Sequence, residues 1–573
     1  MAIQLSPGVN VSEIDLTTIV PSVSTSAGAF AGYFTWGPVN KTILTDSEIT
    51  VVNRFGEPDS NSYVSFFTAA SFLAYGNNLT IARAVGANSL NADANTSSPN
   101  VQIANEDIFQ ASYLTTPQNN TYGAFVARYP GALGNSLAVS VFANSNTSLF
   151  NSWAYAGAFS SAPSTSPYTA AAGGSHDEMH VVVVDAGGLF TGTKGTVLET
   201  YPFVSAARDA NQNGQTNYYK QVIFNNSKYV YAVDPVDYAN TSATWGQAAA
   251  NTTFAQLVGA GNASVTFAGG TDDVGTTANL QNAYALFTNK DNIDISLVLT
   301  PGITDSITDV TITQYIIDNI VNARADCVAF ISPPSPAVVN QAGNETTNIQ
   351  TWLNSLSRST SYAFVDSGWK YMYDKYNQTY RWVPLCGDTA GLCVYTDTVR
   401  DPWWSPAGFN RGAIKNVVKL AWNPNKTYRD TLYQAGVNSV VSFPGNGTVL
   451  FGDKTLQAKP SAFDRINVRR LFIVLEKAIA KAAQYSLFEF NDEFTRAQFV
   501  ALVTPFLRDI QGRRGIYDFK VVCDTTNNTG QVIDSNRFVG DIYIKPARSI
   551  NFIQLNFVAV ATGVDFTTIV GAF

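Results

Sequence analysis

Charge is scarce in this chain of 573 residues: Asp, Glu, Lys and Arg together supply 14%, against roughly 25% in an ordinary soluble domain, while apolar residues reach 45%. Much of the surface is therefore neutral, built from Asn, Thr, Ser, Gly, Ala and Tyr. Such a surface suits extensive subunit contacts in which few charges have to be desolvated. Positive charge is the scarcer sign, with 35 Lys and Arg against 43 Asp and Glu. A net charge of -8 argues against a nucleic-acid partner, because phosphate backbones are held by clustered cations. No window approaches the roughly 18 apolar residues of a membrane span, so no membrane insertion is expected. Residues Met1 to Gly8 lack a basic segment leading into an apolar run, and synthesis and folding in a cytoplasm is the expectation.

Material for catalysis is equally thin. The only two histidines fall in His176-Asp177-Glu178-Met179-His180. Its glutamate stands third, whereas H-E-x-x-H needs it second and H-x-x-E-H fourth. The segment runs into Val181 to Val184, and on a strand the two imidazoles lie about 13 Å apart, too far to share one metal. Cys327, Cys386, Cys393 and Cys523 include no Cys-x-x-Cys pair and read as reduced core thiols. Gly259-Ala260-Gly261 lacks the third glycine of a dinucleotide loop and precedes a strand, and no phosphate loop of the form Gly-x-x-x-x-Gly-Lys-Ser/Thr occurs. No catalytic, metal-binding or cofactor-binding residue is nominated, and the expectation is a protein that is not an enzyme.

What the chain does have is modular organisation. Its length allows three or four domains. Pro7 to Pro21, PGVNVSEIDLTTIVP, is β-prone, bounded by prolines and too thin in apolar residues to own a core. Extended, it could reach about 50 Å, far enough to touch another subunit. Asp565 to Val570 repeats Asp15 to Val20 with a single Leu-to-Phe change. In a Thr-rich chain this is either coincidence or a sign that both tails add as strands to sheet edges. On the second reading Val9, Val11, Ile14, Leu16, Thr18, Val20, Phe566, Thr568 and Val570 make the inter-subunit contacts.

Between the tails, residues 24–86 and 271–413 show the alternation of a helix-flanked, mainly parallel sheet. Residues 87–270 are poor in charge and broken into short strands, a β-rich insertion of one or two domains. From 414 to 563 an α+β module is expected, with helices over Asp464 to Tyr485 and over Asp492 to Gln511, the latter capped by Asn491. Strands Ile516 to Cys523, Phe538 to Ile544 and Ser549 to Val560 follow. The fold class expected is multidomain α/β and α+β: a helix-flanked sheet core with inserted β-rich outer domains and extended N- and C-terminal arms, residues 1–23 and 564–573.

Motifs spread in order along the chain resemble one family, the tail sheath proteins of contractile phages. They are SPGVNVSEIDLTTIVPSVSTSAGAFAGYFTWGPVN (Ser6 to Asn40), RFGEP (Arg54 to Pro58), FFTAASFLAYG (Phe66 to Gly76), ARYPGALGNSLAVSV (Ala127 to Val141), AGGTDD (Ala268 to Asp273), WWSPAG (Trp403 to Gly408), FDRINVRRLF (Phe463 to Phe472) and the run Phe488 to Asp524. No family pattern is seen from Asn144 to Val258. The resemblance implies a subunit that polymerises with copies of itself as six-fold rings in a helical stack around a tail tube protein, with a baseplate and a tail terminator as further partners. It implies an inner carboxy-terminal module facing the tube, outer domains in the middle of the chain, and arms paired with neighbouring subunits. It also implies a metastable extended state whose contraction drives the tube through the host envelope. Assembly in the host cytoplasm and residence in the virion tail follow from it.

Basic residues of the last module, Arg469, Lys477, Lys481, Arg496, Arg508, Arg513 and Arg514, are candidates for the tube contact. Solvated helix faces or ion pairs within the module account for them equally well. A sheath of a phage-like bacteriocin or contractile secretion system is the alternative machine. A hydrolase or a carbohydrate-binding role on the outer domains is the alternative class.

Overall fold

The computed structural model describes residues 23–95, 101–551 and 554. Contacts divide the chain into a large unit, residues 21–402 and 406–480, and a small unit, residues 1–20, 403–405 and 481–573.

Eight strands form the central sheet of the large unit, in the order Gly447–Phe451, Val437–Phe443, Ala363–Asp366, Val328–Ile331, Leu297–Leu299, Gly28–Tyr33, Leu79–Ala84, Thr42–Thr45. The six inner strands are parallel and the outermost strand on each side is antiparallel to its neighbour. The chain winds one way from Gly28–Tyr33 to Leu79–Ala84 and the other way through the remaining parallel strands. The sheet is thus doubly wound, with its switch point between Gly28–Tyr33 and Leu297–Leu299. Both faces are covered, which is why segments such as Val328–Ile331 are apolar without interruption.

Alternation sends Phe30, Ile81, Leu297, Leu299, Phe330 and Phe364 to one face and Ala29, Ala82, Val298, Ile331 and Val365 to the other. Helices Tyr63–Leu73 and Cys386–Val399, with Ile466 and Ile473 of helix Ile466–Ala483, pack on the first. Helices Thr277–Ala285, Glu345–Leu356 and Lys426–Gln434, and the helical run Thr311–Ile316, Ile317–Val321 and Asn322–Arg324, cover the second. Close approach of helices Tyr63–Leu73 and Cys386–Val399 depends on glycine. A Cβ on Gly387 would stand 2.3 Å from the Thr68 carbonyl oxygen, and one on Gly391 would stand 2.4 Å from the Tyr75 ring.

The insertion carries an antiparallel sheet ordered Asn262–Thr266, Leu137–Phe142, Glu178–Asp185, Thr196–Ser205, and a smaller pair, Phe125–Ala127 with Val230–Ala232. Its aromatics Phe142, Phe150 and Trp153 are buried in its own cores.

The small unit pairs helix Glu493–Gly512 with an antiparallel two-stranded sheet, Ile516–Val522 and Asp541–Pro546. The cap of this helix is Asp492, whose carboxylate accepts from the Thr495 N–H at 2.8 Å, not the expected Asn491. Asn491 instead donates to the Arg537 carbonyl at 2.8 Å.

The boundary expected at residue 414 is displaced. Strands Val437–Phe443 and Gly447–Phe451 complete the central sheet, and the change of unit comes at residue 480, inside helix Ile466–Ala483. Continuous helical periodicity hides such a boundary, because the apolar stripe does not report which partner it packs on.

Candidate assembly site

Doubly wound sheets hold ligands at the carboxyl ends of their strands, beside the switch point. Here the chain itself occupies that position. From the strand Leu79–Ala84, the fully buried Arg83 donates to the carbonyls of Phe34, Gly37 and Pro130, each at 2.8 Å. Burial pushes its guanidinium down to about 10, so it stays charged at neutral pH. Pro130 belongs to the insertion, and Arg83 therefore fastens the root of the insertion to the sheet.

Along the same edge, the Ser332 hydroxyl donates to Asp366 at 2.7 Å and accepts from the Cys386 N–H at 2.8 Å. Burial holds the Asp366 carboxyl well above the usual carboxylate range. Lys370 and Asp388, both buried, form an ion pair at 2.8 Å. Burial raises Asp388 above its ordinary value although Lys370 opposes the shift. All four cysteines are buried, and burial pushes the Cys393 thiol up to about 12.

The histidine motif is split by the fold. His176 lies just before the strand Glu178–Asp185 with a φ of 61°, and its Nδ1 is 2.8 Å from the Gln256 amide nitrogen. His180 lies on the strand Glu178–Asp185, buried, with its ring stacked on Phe159 at 4.1 Å. Its Nδ1 accepts from the Phe203 N–H at 3.1 Å, so Nε2, 2.8 Å from the Ser161 carbonyl oxygen, carries the proton and the ring is neutral. Among the described residues no cluster of three or more His, Cys, Asp or Glu is placed to hold a metal ion.

The seven basic candidates fall into three groups. Arg469 and Lys477 reach loops that precede parallel strands of the large unit. Arg469 donates to the Ser361 hydroxyl at 3.0 Å and lies 4.2 Å from the Tyr362 ring centroid. Lys477 donates to Asp294 at 2.8 Å and to the Ile295 carbonyl at 2.7 Å. Arg496 is buried in the small unit and donates to the Asn491 side chain at 2.8 Å. Lys481, Arg508, Arg513 and Arg514 are exposed. Of these, Arg513 and Arg514 lie over the rings of Trp403 and Trp404, at 5.0 and 5.4 Å, and the Trp403 indole donates to the Arg513 carbonyl at 3.1 Å. The arm candidates Val9, Val11, Ile14, Leu16, Thr18, Val20, Phe566, Thr568 and Val570 lie outside the described residues, as does most of the strand expected over Ser549 to Val560.

Two features of the small unit point to partners. Its sheet has only two strands among the described residues, so among those residues both strands are edge strands that can template another chain. Its aromatic side chains also face solvent: Phe488 is 104% exposed, Phe490 84% and Phe494 75%. Phe488 holds a φ of 71°, a backbone conformation that a bulky residue seldom adopts. Sequence reading missed these phenylalanines, although FEFNDEF carries the signal: three aromatics within seven residues whose other members are Glu, Asn and Asp.

The core is a doubly wound sheet, the insertion is β-rich, and the small unit's sheet has two strands among the described residues. The comparisons name the class. Residues 275–456 match the family model of the phage tail sheath protein central domain, and residues 458–559 match that of the phage tail sheath C-terminal domain. The tail sheath protein of Vibrio phage KVP40 is 33% identical over 99% of this chain and 100% of its own, and that of Enterobacteria phage T4 is 32% identical over 99% of each. Sheath tail proteins from Listeria innocua (TM-score 0.53, 11% identity, 92% of this chain and 96% of the other) and Desulfitobacterium hafniense (TM-score 0.50, 11% identity, 91% and 94%) share the fold. The chain belongs to the phage tail sheath protein family and is a structural subunit of a contractile tail sheath.

Proposed function

We propose that this subunit polymerises as stacked six-fold rings around a tail tube and contracts by repacking its subunits, driving the tube through a host envelope. It resides in the virion tail, is assembled in the host cytoplasm, and has a tube protein, a baseplate and a tail terminator as partners. The observation that carries this reading is kinship along the whole length with tail sheath proteins of phages. Those relatives favour a phage over a bacteriocin or secretion system.

The physical scheme is a head-to-tail contact whose rotation does not close, repeated into a helical polymer that has two packings. The small unit, with residues 481–573, forms the inner module facing the tube, and residues 87–270 form the outer decoration. The terminal arms add as strands to sheet edges of adjacent copies, a reading supported by the small unit's sheet, which has two strands among the described residues. Of the basic candidates for the tube contact, the exposed Lys481, Arg508, Arg513 and Arg514 suit the role best, since Arg469, Lys477 and Arg496 are engaged within their own units.

The test is co-expression with the cognate tube protein followed by negative-stain imaging. Ordered hollow cylinders are the expected result, and monodisperse globules in the presence of tubes would overturn the reading. Reversing the charge of Arg508 and Arg514 together is expected to uncouple the cylinders from the tube without unfolding the subunit.

A further inference from the structure

The chain passes between the two units at three places: residues 20–21, the short excursion at 402–406, and residues 480–481. On the large-unit side, all three are tied to one buried ion pair. Arg470, 4% exposed, lies on the helix Ile466–Ala483 that itself runs through the third crossing. Its guanidinium grips Asp397 in bidentate fashion, Nη1 to Oδ1 at 2.9 Å and Nη2 to Oδ2 at 2.6 Å. Asp397 lies in the last turn of helix Cys386–Val399, a few residues before the second crossing, and Arg470 Nη1 also reaches the carbonyl of Pro402, the last residue before it, at 3.5 Å. Thr25, just inside the first crossing, donates its hydroxyl to Asp397 Oδ2 at 2.7 Å, and its own carbonyl accepts from Arg470 Nη2 at 3.3 Å.

Two further bonds anchor the same stretch: the Ser24 carbonyl accepts from Ser296 at 2.9 Å, and Lys477 donates to Ser296 at 3.1 Å. Three segments remote in sequence thus converge on one pair of charges. Burial alone would push the Arg470 guanidinium down, but Asp397 beside it holds it above its ordinary value. A bidentate pair in such surroundings is among the stiffer side-chain contacts a protein makes.

We propose that Thr25, Asp397 and Arg470 form a mechanical clamp: tension entering the large unit through the amino-terminal segment is delivered at this one point to both other crossings, so the unit answers as a single body when the sheath repacks. This rests on the two-state sheath reading above. It assigns a regulatory role to three side chains within the large unit, because the stiffness of the clamp sets how readily an extended sheath yields.

The experiment compares full-length wild type, Thr25→Val and Arg470→Lys assembled on tubes. The readouts are the lifetime of the extended state at a fixed urea concentration, scored by electron microscopy, and the melting temperature of the unassembled subunit. Losing one such bond is expected to shorten the extended lifetime about tenfold for Arg470→Lys and several-fold for Thr25→Val. Thr25→Val, nearly isosteric and only half-buried, is expected to melt close to wild type. If Arg470→Lys fails to fold, Thr25→Val decides alone. Unchanged lifetimes in the folded variants, on a background of normal wild-type sheaths, overturn the clamp and leave the sheath reading standing. Wild type that forms no sheath on tubes overturns the sheath reading and the clamp with it.

Discussion

Arg83 binds with three donors and no carboxylate: all three of its hydrogen bonds go to main-chain oxygens. Replacing it by Met leaves three buried carbonyls without a donor, and Arg83→Met is expected to lower stability by about 3 kcal/mol, read as a shift of the urea midpoint. His180 makes a second prediction, with its sign set by burial, which holds its pKa below the ordinary value. A base depressed in the folded state supports folding fully above its unfolded pKa of about 6.5 and withdraws that support as pH falls below it. Melting temperature is therefore expected to drop between about pH 7 and 5, and His180→Gln, which keeps a donor and an acceptor, to remove that component of the drop. Asp366 acts in the opposite direction. Its carboxyl is held protonated past the unfolded value near 4, so it costs stability as pH rises. Asp366→Asn is expected to gain on wild type progressively above about pH 4 in the same melting series.

Helix Ile466–Ala483 shows how one element serves two purposes. Its apolar stripe, Val468, Leu471, Phe472, Leu475, Ile479 and Ala482, was legible from the 3.6-residue period, and all but the half-buried Phe472 are buried. Its basic residues were legible only as charges. Their destinations, Ser361 and Tyr362 for Arg469, Asp294 and Ile295 for Lys477, lie more than a hundred residues away in sequence and could not be read from the helix. Lys477→Met is expected to destabilise the large unit by about 1 to 2 kcal/mol, whereas Lys481→Glu on the exposed side leaves its thermal midpoint in place. In helix Glu493–Gly512, Asp492→Ala is expected to cost about 1 kcal/mol through the lost cap, measured as faster hydrogen exchange of the first turn, and Asn491→Ala to spare that turn.

For the whole molecule, the large unit buries a two-faced sheet, whereas the small unit's sheet has two strands among the described residues. Folding and assembly are therefore separable. Removing residues 1–20 is expected to leave the large unit's melting transition where it is and to abolish cylinders in the electron microscope. Normal cylinders from the truncated chain would exclude strand exchange by the amino-terminal arm.

The amino-acid sequence by itself determined the class of the protein and its α/β rhythm, because composition and local periodicity are properties of neighbours along the chain. Helix Cys386–Val399 escaped that reading: its Gly387 and Gly391 weaken a helical signal locally and acquire meaning only against Thr68 and Tyr75. Tertiary structure alone decided where the large unit ends, which cations face inward, and that Thr25, Asp397 and Arg470 meet. Long-range contacts of this kind depend on how the sheet is wound, and winding is settled by the packing of both its faces at once rather than by any single segment.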